Sequence, residues 1–165
     1  PVSYTVFKNP IGLTGLIASS TGLLRIIYKL SNENSMENYL AQSTHGKSTK
    51  SPSEFKELIK QFLKYFKGNL KRFDFPLDLR LGTPFQQKVW KKLTTIPYGK
   101  TRSYKWIASA INNPQASRAV GNANGRNPLA ILIPCHRVIR ENGELGGYTG
   151  GIYIKRFLLN LEQAN

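Results

Sequence analysis

Apolar positions follow a strand-like pattern near the N-terminus and a helical one further along. Within residues 4–30, "YTVF" and "LLRIIYKL" are rich in residues that suit a pleated surface, and "SSTG" (19–22) places a turn between apolar runs. Short strands are expected there. Residues 31–53 are polar and rich in Ser, Asn and Thr, which predicts a mobile surface loop with an idle His45. Ser51-Pro52-Ser53-Glu54 has capping-box spacing with proline at the first helical position. Phe55, Ile59, Phe62, Leu63 and Phe66 then form one apolar stripe, and Gly68 is a natural stop. "LKRFDFPLDLRLG" (70–82) reads as an extended bridge between halves.

The second half repeats the cap-plus-proline start at Thr83-Pro84, and Phe85, Val89, Leu93 and Ile96 recur at helical spacing. After "IPYGKTRS" the period resumes through Tyr104, Ile107, Ala108 and Ile111. Asn113-Pro114 is expected to cap a further helix with Ala116, Ala119, Val120 and Ala123 inward. A last helix, about 152–163, is expected to bury Ile154, Phe157, Leu158 and Leu161. The fold class is therefore α+β. A small N-terminal β-rich α/β domain with one helix (1–80) precedes an all-helical C-terminal domain with a helix-turn-helix (81–165).

Within that helix-turn-helix, the face opposite the alanines carries Gln115, Arg118, Gly121, Asn122 and Gly125. Glycine inside a helix costs about 1 kcal/mol relative to alanine. Two on one exposed face suit close approach of the backbone to another surface, such as a DNA groove that Arg118 would enter. The alternative is a solvated face with a frayed end.

Charge favours the first reading. The chain carries 24 Lys and Arg against nine acidic residues, for a net +15; residues 81–165 hold 12 basic and three acidic ones. Such a balance suits a polyanionic partner, although solubility alone also accounts for it. One cysteine excludes an internal disulfide and a paired-thiolate zinc site, and two distant histidines make a metal site improbable. No apolar run reaches the roughly 20 residues of a membrane span, and no signal-peptide layout opens the chain. The expected compartment is the cytoplasm, or the nucleus in a eukaryote.

The single cysteine, Cys135, lies in "LAILIPCHRVIR" (129–140) beside His136. An unpaired cysteine in an apolar run is commonly a small buried hydrophobe. An adjacent histidine opens a second possibility, because the thiolate is the reactive form. In an extended segment the two side chains would point apart, so a bridging water would be needed. The imidazole would also want a carboxylate on its other nitrogen. Glu141 and Glu144 flank an expected exposed turn; Glu162, beside the buried stripe of the last helix, is the better candidate.

"IPYGKTRSYKWIA" (96–108), "SRAVGNANGRNP" (117–128), "PCHRVI" (134–139) and "GGYTGGIYIKRFLLNLE" (146–162) together resemble the O6-alkylguanine-DNA alkyltransferases. The match spans essentially all of residues 81–165, whereas residues 1–80 are similar in layout only. The resemblance implies direct-reversal DNA repair, an irreversible, single-use transfer of the alkyl group from guanine O6 to Cys135 after the damaged nucleotide is extruded. It implies that His136 takes the thiol proton through a water, that Glu162 orients the imidazole, and that Tyr104 protonates guanine N3. Asn127 would pin the turn leading to the nucleophile, though it could equally be a plain turn residue before Pro128. The carbonyls of Cys135 and Val138 would accept the guanine amino group, the Thr149 amide would face O6, and Tyr148 and Gly150 would belong to the pocket lid. Gln115, Ala116, Ser117, Arg118, Gly121 and Asn122 would meet DNA. The implied partner is double-stranded DNA containing O6-alkylguanine, bound by a monomer, with no cofactor, metal or membrane.

Some positions depart from the family pattern. Thr149 stands where serine is frequent, and Ser117 where alanine is common. Asn124 replaces a methionine of some relatives, which makes the pocket wall more polar and less suited to a benzyl group. The N-terminal domain lacks the cysteines with which some relatives bind zinc. Three rival readings are a non-catalytic alkylated-base binder, a DNA-binding regulator and a thiol hydrolase. The first would lack the cysteine, the second has no use for a Cys-His pair, and the third lacks a visible oxyanion motif.

Overall fold

The computed structural model describes Pro1–Asn165, which divide into two compact units, Pro1–Leu81 and Gly82–Asn165. In the first, β1 (Val2–Asn9), β2 (Gly12–Ala18) and β3 (Leu23–Ile27) form an antiparallel meander. Strand β4 (Ser48–Lys50) adds parallel to β1, giving the order β3-β2-β1-β4.

Strand alternation makes both sheet faces apolar. Val2, Tyr4, Ile17 and Leu24 cluster with Met36 and Leu40 of α1 (Glu33–Gln42). Phe7, from the alternate register, meets Phe62 of α2 (Lys56–Phe66) with ring centroids 5.4 Å apart.

Helix α1 corrects the expected loop over 31–53. Asn32 caps it by accepting from the Ser35 amide at 2.9 Å, and only Met36 and Leu40 are buried. Two apolar residues in so polar a segment give little periodic signal. Gly15 makes room for Met36, because a β-carbon there would lie 2.7 Å from the Met36 sulfur. The capping box at Ser51 is not formed: Pro52–Phe55 is a 3₁₀ turn and Ser51 makes no side-chain cap. The inward stripe of α2 is Leu58, Phe62, Tyr65 and Phe66, while Leu63 faces solvent. Residues 70–81 belong to the first unit, with Phe73 against Phe62 and Asp78 accepting from Ser19 at 2.6 Å.

The second unit contains α3 (Pro84–Leu93), α4 (Tyr104–Ala110), α5 (Ser117–Gly125) and α6 (Ile152–Ala164). Thr83 and Gln86 form the expected capping box on α3. Trp90 of α3 donates its indole N–H to the Ala123 carbonyl at 2.8 Å, tying α3 to α5. Helix α5 starts at Ser117, later than expected, because Asn113–Ala116 closes as a separate turn. Its buried side is Val120, Ala123 and Asn124; Ala119 is exposed. One short parallel pair, β5 (Arg102–Ser103) with β6 (Val138–Ile139), joins the helices. No helix is long and apolar enough to cross a membrane.

Candidate active site

Cys135, His136 and Arg137 form a single 3₁₀ turn, and all three are buried. This corrects the expected extended segment. Three residues per turn send neighbouring side chains in different directions, so His136 turns away from the sulfur for a different geometric reason. Val138 follows directly in β6, whose partner β5 ends at Ser103, the cap of α4. That pairing delivers Tyr104, the first residue of α4, to the nucleophile turn. Burial raises the Tyr104 pKa, and Cys135 raises it further.

The approach to the turn is strained. Ile131 has φ +80°, rare for a β-branched residue. Asn127 holds the strained turn from both sides, donating its amide to the Ile133 carbonyl at 2.8 Å and accepting from the Leu129 N–H at 2.9 Å. Strain persists where surrounding contacts over-determine the backbone.

His136 Nε2 lies 2.7 Å from Glu162 Oε2. An ionised carboxylate only accepts, so Nε2 carries the proton and Nδ1 keeps its lone pair. Nδ1 is buried and meets no protein partner. Arg137 donates to the same carboxylate from Nε at 2.8 Å and Nη2 at 3.0 Å, and its Nη1 donates to the Ile96 carbonyl at 2.7 Å. Burial pushes Glu162 up, but His136 and Arg137 outweigh it and hold the carboxyl well below its ordinary range. Burial lowers His136 despite the carboxylate, and keeps the imidazole neutral. The Cys135 thiol is pushed up by burial and drawn back by hydrogen bonding from Asn127 and by Lys155. Only 5% of Cys135 is exposed.

Around this centre, the Asn124 amide donates to the Cys135 carbonyl at 3.4 Å. Thr149 donates its hydroxyl to the Gly125 carbonyl at 2.6 Å, linking the "GGYTGG" segment to the end of α5. Tyr148 bonds toward the Cys135 sulfur, and a β-carbon on Gly150 would press on the Tyr148 ring at 3.1 Å. On α5, Arg118 and Asn122 are exposed, as is Gln115 just before it; Ala116 and Ser117 are half-buried. Gly121 lies over the Tyr104 ring, where a β-carbon would sit 3.8 Å away.

The inward track of α6 is Lys155, Leu158 and Glu162; Phe157 is 41% exposed, which corrects the expected stripe. The charged side chains turn inward because their partners lie inside. Arg137 and Lys155 were not singled out from sequence. The spacing of Lys155 from Leu158 and Glu162 was the available signal.

A strand-rich unit followed by a helical unit, with a buried cysteine next to a histidine paired with glutamate, defines a protein built around a single thiol. Descriptions of the 6-O-methylguanine DNA methyltransferase match in both parts, the ribonuclease-like domain over residues 2–79 and the DNA binding domain over residues 84–164. The chain is 48% identical over 165 residues to the methylated-DNA–protein-cysteine methyltransferase of Mycobacterium tuberculosis, covering 99% of this chain and 93% of that one. It is 45% identical over 159 residues to the same protein of Methanosarcina acetivorans, covering 96% and 97%. Among solved structures, the Mycobacterium tuberculosis OGT in complex with DNA superposes with a TM-score of 0.85 at 47% identity, covering 99% and 94%. The chain belongs to the 6-O-methylguanine DNA methyltransferase family.

Proposed function

We propose that this protein repairs DNA by direct reversal, accepting the alkyl group of O6-alkylguanine on Cys135. The C–S bond forms as the bond from the alkyl carbon to O6 breaks. The thiol proton passes through a water to Nδ1 of His136, and the departing guanine takes a proton at N3 from the Tyr104 hydroxyl. The observation that carries this reading is the His136–Glu162 contact at 2.7 Å, which leaves Nδ1 with a free lone pair on the residue next to the buried cysteine. An ordinary thiol, with a pKa near 8.5, is mostly protonated at neutral pH and needs such a base. The thioether product is not reversed by water, so each chain acts once.

The same reading assigns roles to the surrounding residues. Asn127 keeps the strained turn shut and hydrogen-bonds the thiolate; the Cys135 and Val138 carbonyls accept the guanine amino group; the Thr149 amide meets O6. Tyr148 and Gly150 close the pocket. Gln115, Ala116, Ser117, Arg118, Gly121 and Asn122 meet the DNA groove, with Arg118 filling the space of the extruded nucleotide. Residues 1–80 and 81–165 act as separate domains, the second carrying both DNA binding and chemistry. The partner is double-stranded DNA bearing O6-alkylguanine, engaged by one copy of the chain. The compartment is the cytoplasm, or the nucleus if the source is eukaryotic.

The test uses duplex carrying a labelled methyl group on guanine O6. Label should move to the wild-type chain, while Cys135→Ser binds the duplex and leaves the label on DNA. Loss of binding and transfer together in Cys135→Ser would make the cysteine structural.

A further inference from the structure

Residues 1–80 hold twelve cations, and six of them fall within residues 56–72 together with a single acid, Glu57. These six, Lys56, Lys60, Lys64, Lys67, Lys71 and Arg72, are all exposed. The first four belong to α2 and its cap, where steps of three or four residues put them on one face. The opposite face, made of Leu58, Phe62, Tyr65 and Phe66, is buried.

The frame under this face is well tied. Gln61 of α2 donates to the Asp74 carbonyl at 2.9 Å and accepts from the Asp74 N–H at 2.8 Å, and the Phe73 ring meets Phe62 and Tyr65 at 5.1 and 5.4 Å. Lys71 and Arg72 therefore lie on the stretch that returns from the helix end to the level of Gln61. The ion pairs of this unit are Lys50–Glu33 and Arg80–Asp78, and neither uses a residue of α2. Lys56, Lys60 and Lys64 follow one another at four-residue steps, an arrangement of like charges that weakens a helix. A helix face that serves solubility alone mixes both signs. A face of one sign, kept against its own repulsion, suits an anionic partner.

We infer that the Lys56–Lys67 face of α2, with Lys71 and Arg72, binds the phosphate backbone of DNA, a contact of the first unit separate from that of α5. This rests on the DNA-repair reading and extends it. From Lys56 to Lys67 the helix rises about 16 Å, a length over which one DNA strand presents roughly four or five phosphates. Contacts of this kind add affinity without reading bases. A lipid surface matches less well, because a helix that lies on a membrane inserts an apolar face, and the apolar face of α2 is buried in the fold.

The experiment compares the full chain with a variant carrying Lys60→Gln, Lys64→Gln and Lys67→Gln, following binding to an unmodified duplex by fluorescence anisotropy as salt is raised. The slope of log affinity against log salt should become shallower by about 0.9 for each lysine engaged, about 2.7 for all three. The weakening should be alike for duplexes of different sequence. Transfer from free O6-methylguanine base should be unchanged, since Tyr104, Cys135, His136 and Glu162 all belong to the second unit. Arginine at the same three positions should keep the wild-type slope. A glutamine variant, folded by circular dichroism, whose salt dependence overlays the wild type would overturn the inference and leave the repair reading intact. Should the triple variant not fold, Lys64→Gln alone is measured against an expected change of about 0.9. Weakened binding to phosphatidylserine vesicles with unchanged DNA binding would overturn the inference in favour of a membrane surface. A wild type that binds no duplex at any salt would sink the repair reading along with it.

Discussion

Arg137 and Glu162 form a two-pronged ion pair at 2.8 and 3.0 Å, and the oxygen that closes the second prong also accepts from His136. The carboxylate is thus clamped by one residue and aims its neighbour. Glu162→Gln keeps the shape but removes the charge, leaving Arg137 buried and uncompensated. Breaking such a pair costs about 3–5 kcal/mol. The variant should melt lower in a thermal scan and transfer methyl about a hundredfold more slowly in single-turnover assays. Wild-type rates in a folded Glu162→Gln would remove the glutamate from the mechanism.

The same pairings set the response to acid. The folded pKa of His136 lies below its ordinary 6.5, so the unfolded chain binds more protons in that window. Its contribution to stability is full above about 6.5 and is lost as pH falls toward the depressed value. Glu162 adds a second loss, beginning below its ordinary 4.5. Urea unfolding across pH should show stability falling in these two stages, and His136→Gln should flatten the first. A profile unchanged by that substitution would show that His136 does not titrate on unfolding.

How much of this was legible depended on what each residue does locally. The cap-plus-proline start at Thr83 and the apolar period of α3 are short-range signals, and they appear where expected. Helix α1 was invisible because its burial depends on the close approach of Met36 to Gly15, a feature of tertiary structure. The same holds for Lys155 and the exposed Phe157: hydrophobic spacing assigns apolar residues to the interior, but α6 turns its cations and carboxylate inward to reach partners distant in sequence. Glu162 was within reach by elimination among few acids. Its second partner, Arg137, was masked by its position beside the more conspicuous Cys135 and His136.

Arg118 is exposed on α5. If it holds the duplex open, Arg118→Ala should slow repair of duplex much more than reaction with free O6-alkylguanine base. Equal slowing of both in parallel rate measurements would assign it to the chemistry or to folding instead.

Asn127 ties two backbone groups across the φ +80° residue Ile131. Asn127→Ala removes both bonds, at about 1 kcal/mol each, and also the hydrogen bond that draws the thiol pKa down. The expected result is a modest loss in unfolding free energy together with an upward shift in the pH midpoint of thiol alkylation. A loss of stability with no shift in the midpoint would confine Asn127 to holding the turn.

The central claim is that Cys135 itself becomes the final resting place of the alkyl group. Intact-protein mass spectrometry after incubation with excess O6-methylguanine duplex, followed by peptide mapping, tests it most directly. The expected spectrum shows one methyl group per chain, confined to the peptide containing Cys135, with no second addition on longer incubation. A chain of unchanged mass, or a methyl group on any other residue, would contradict it.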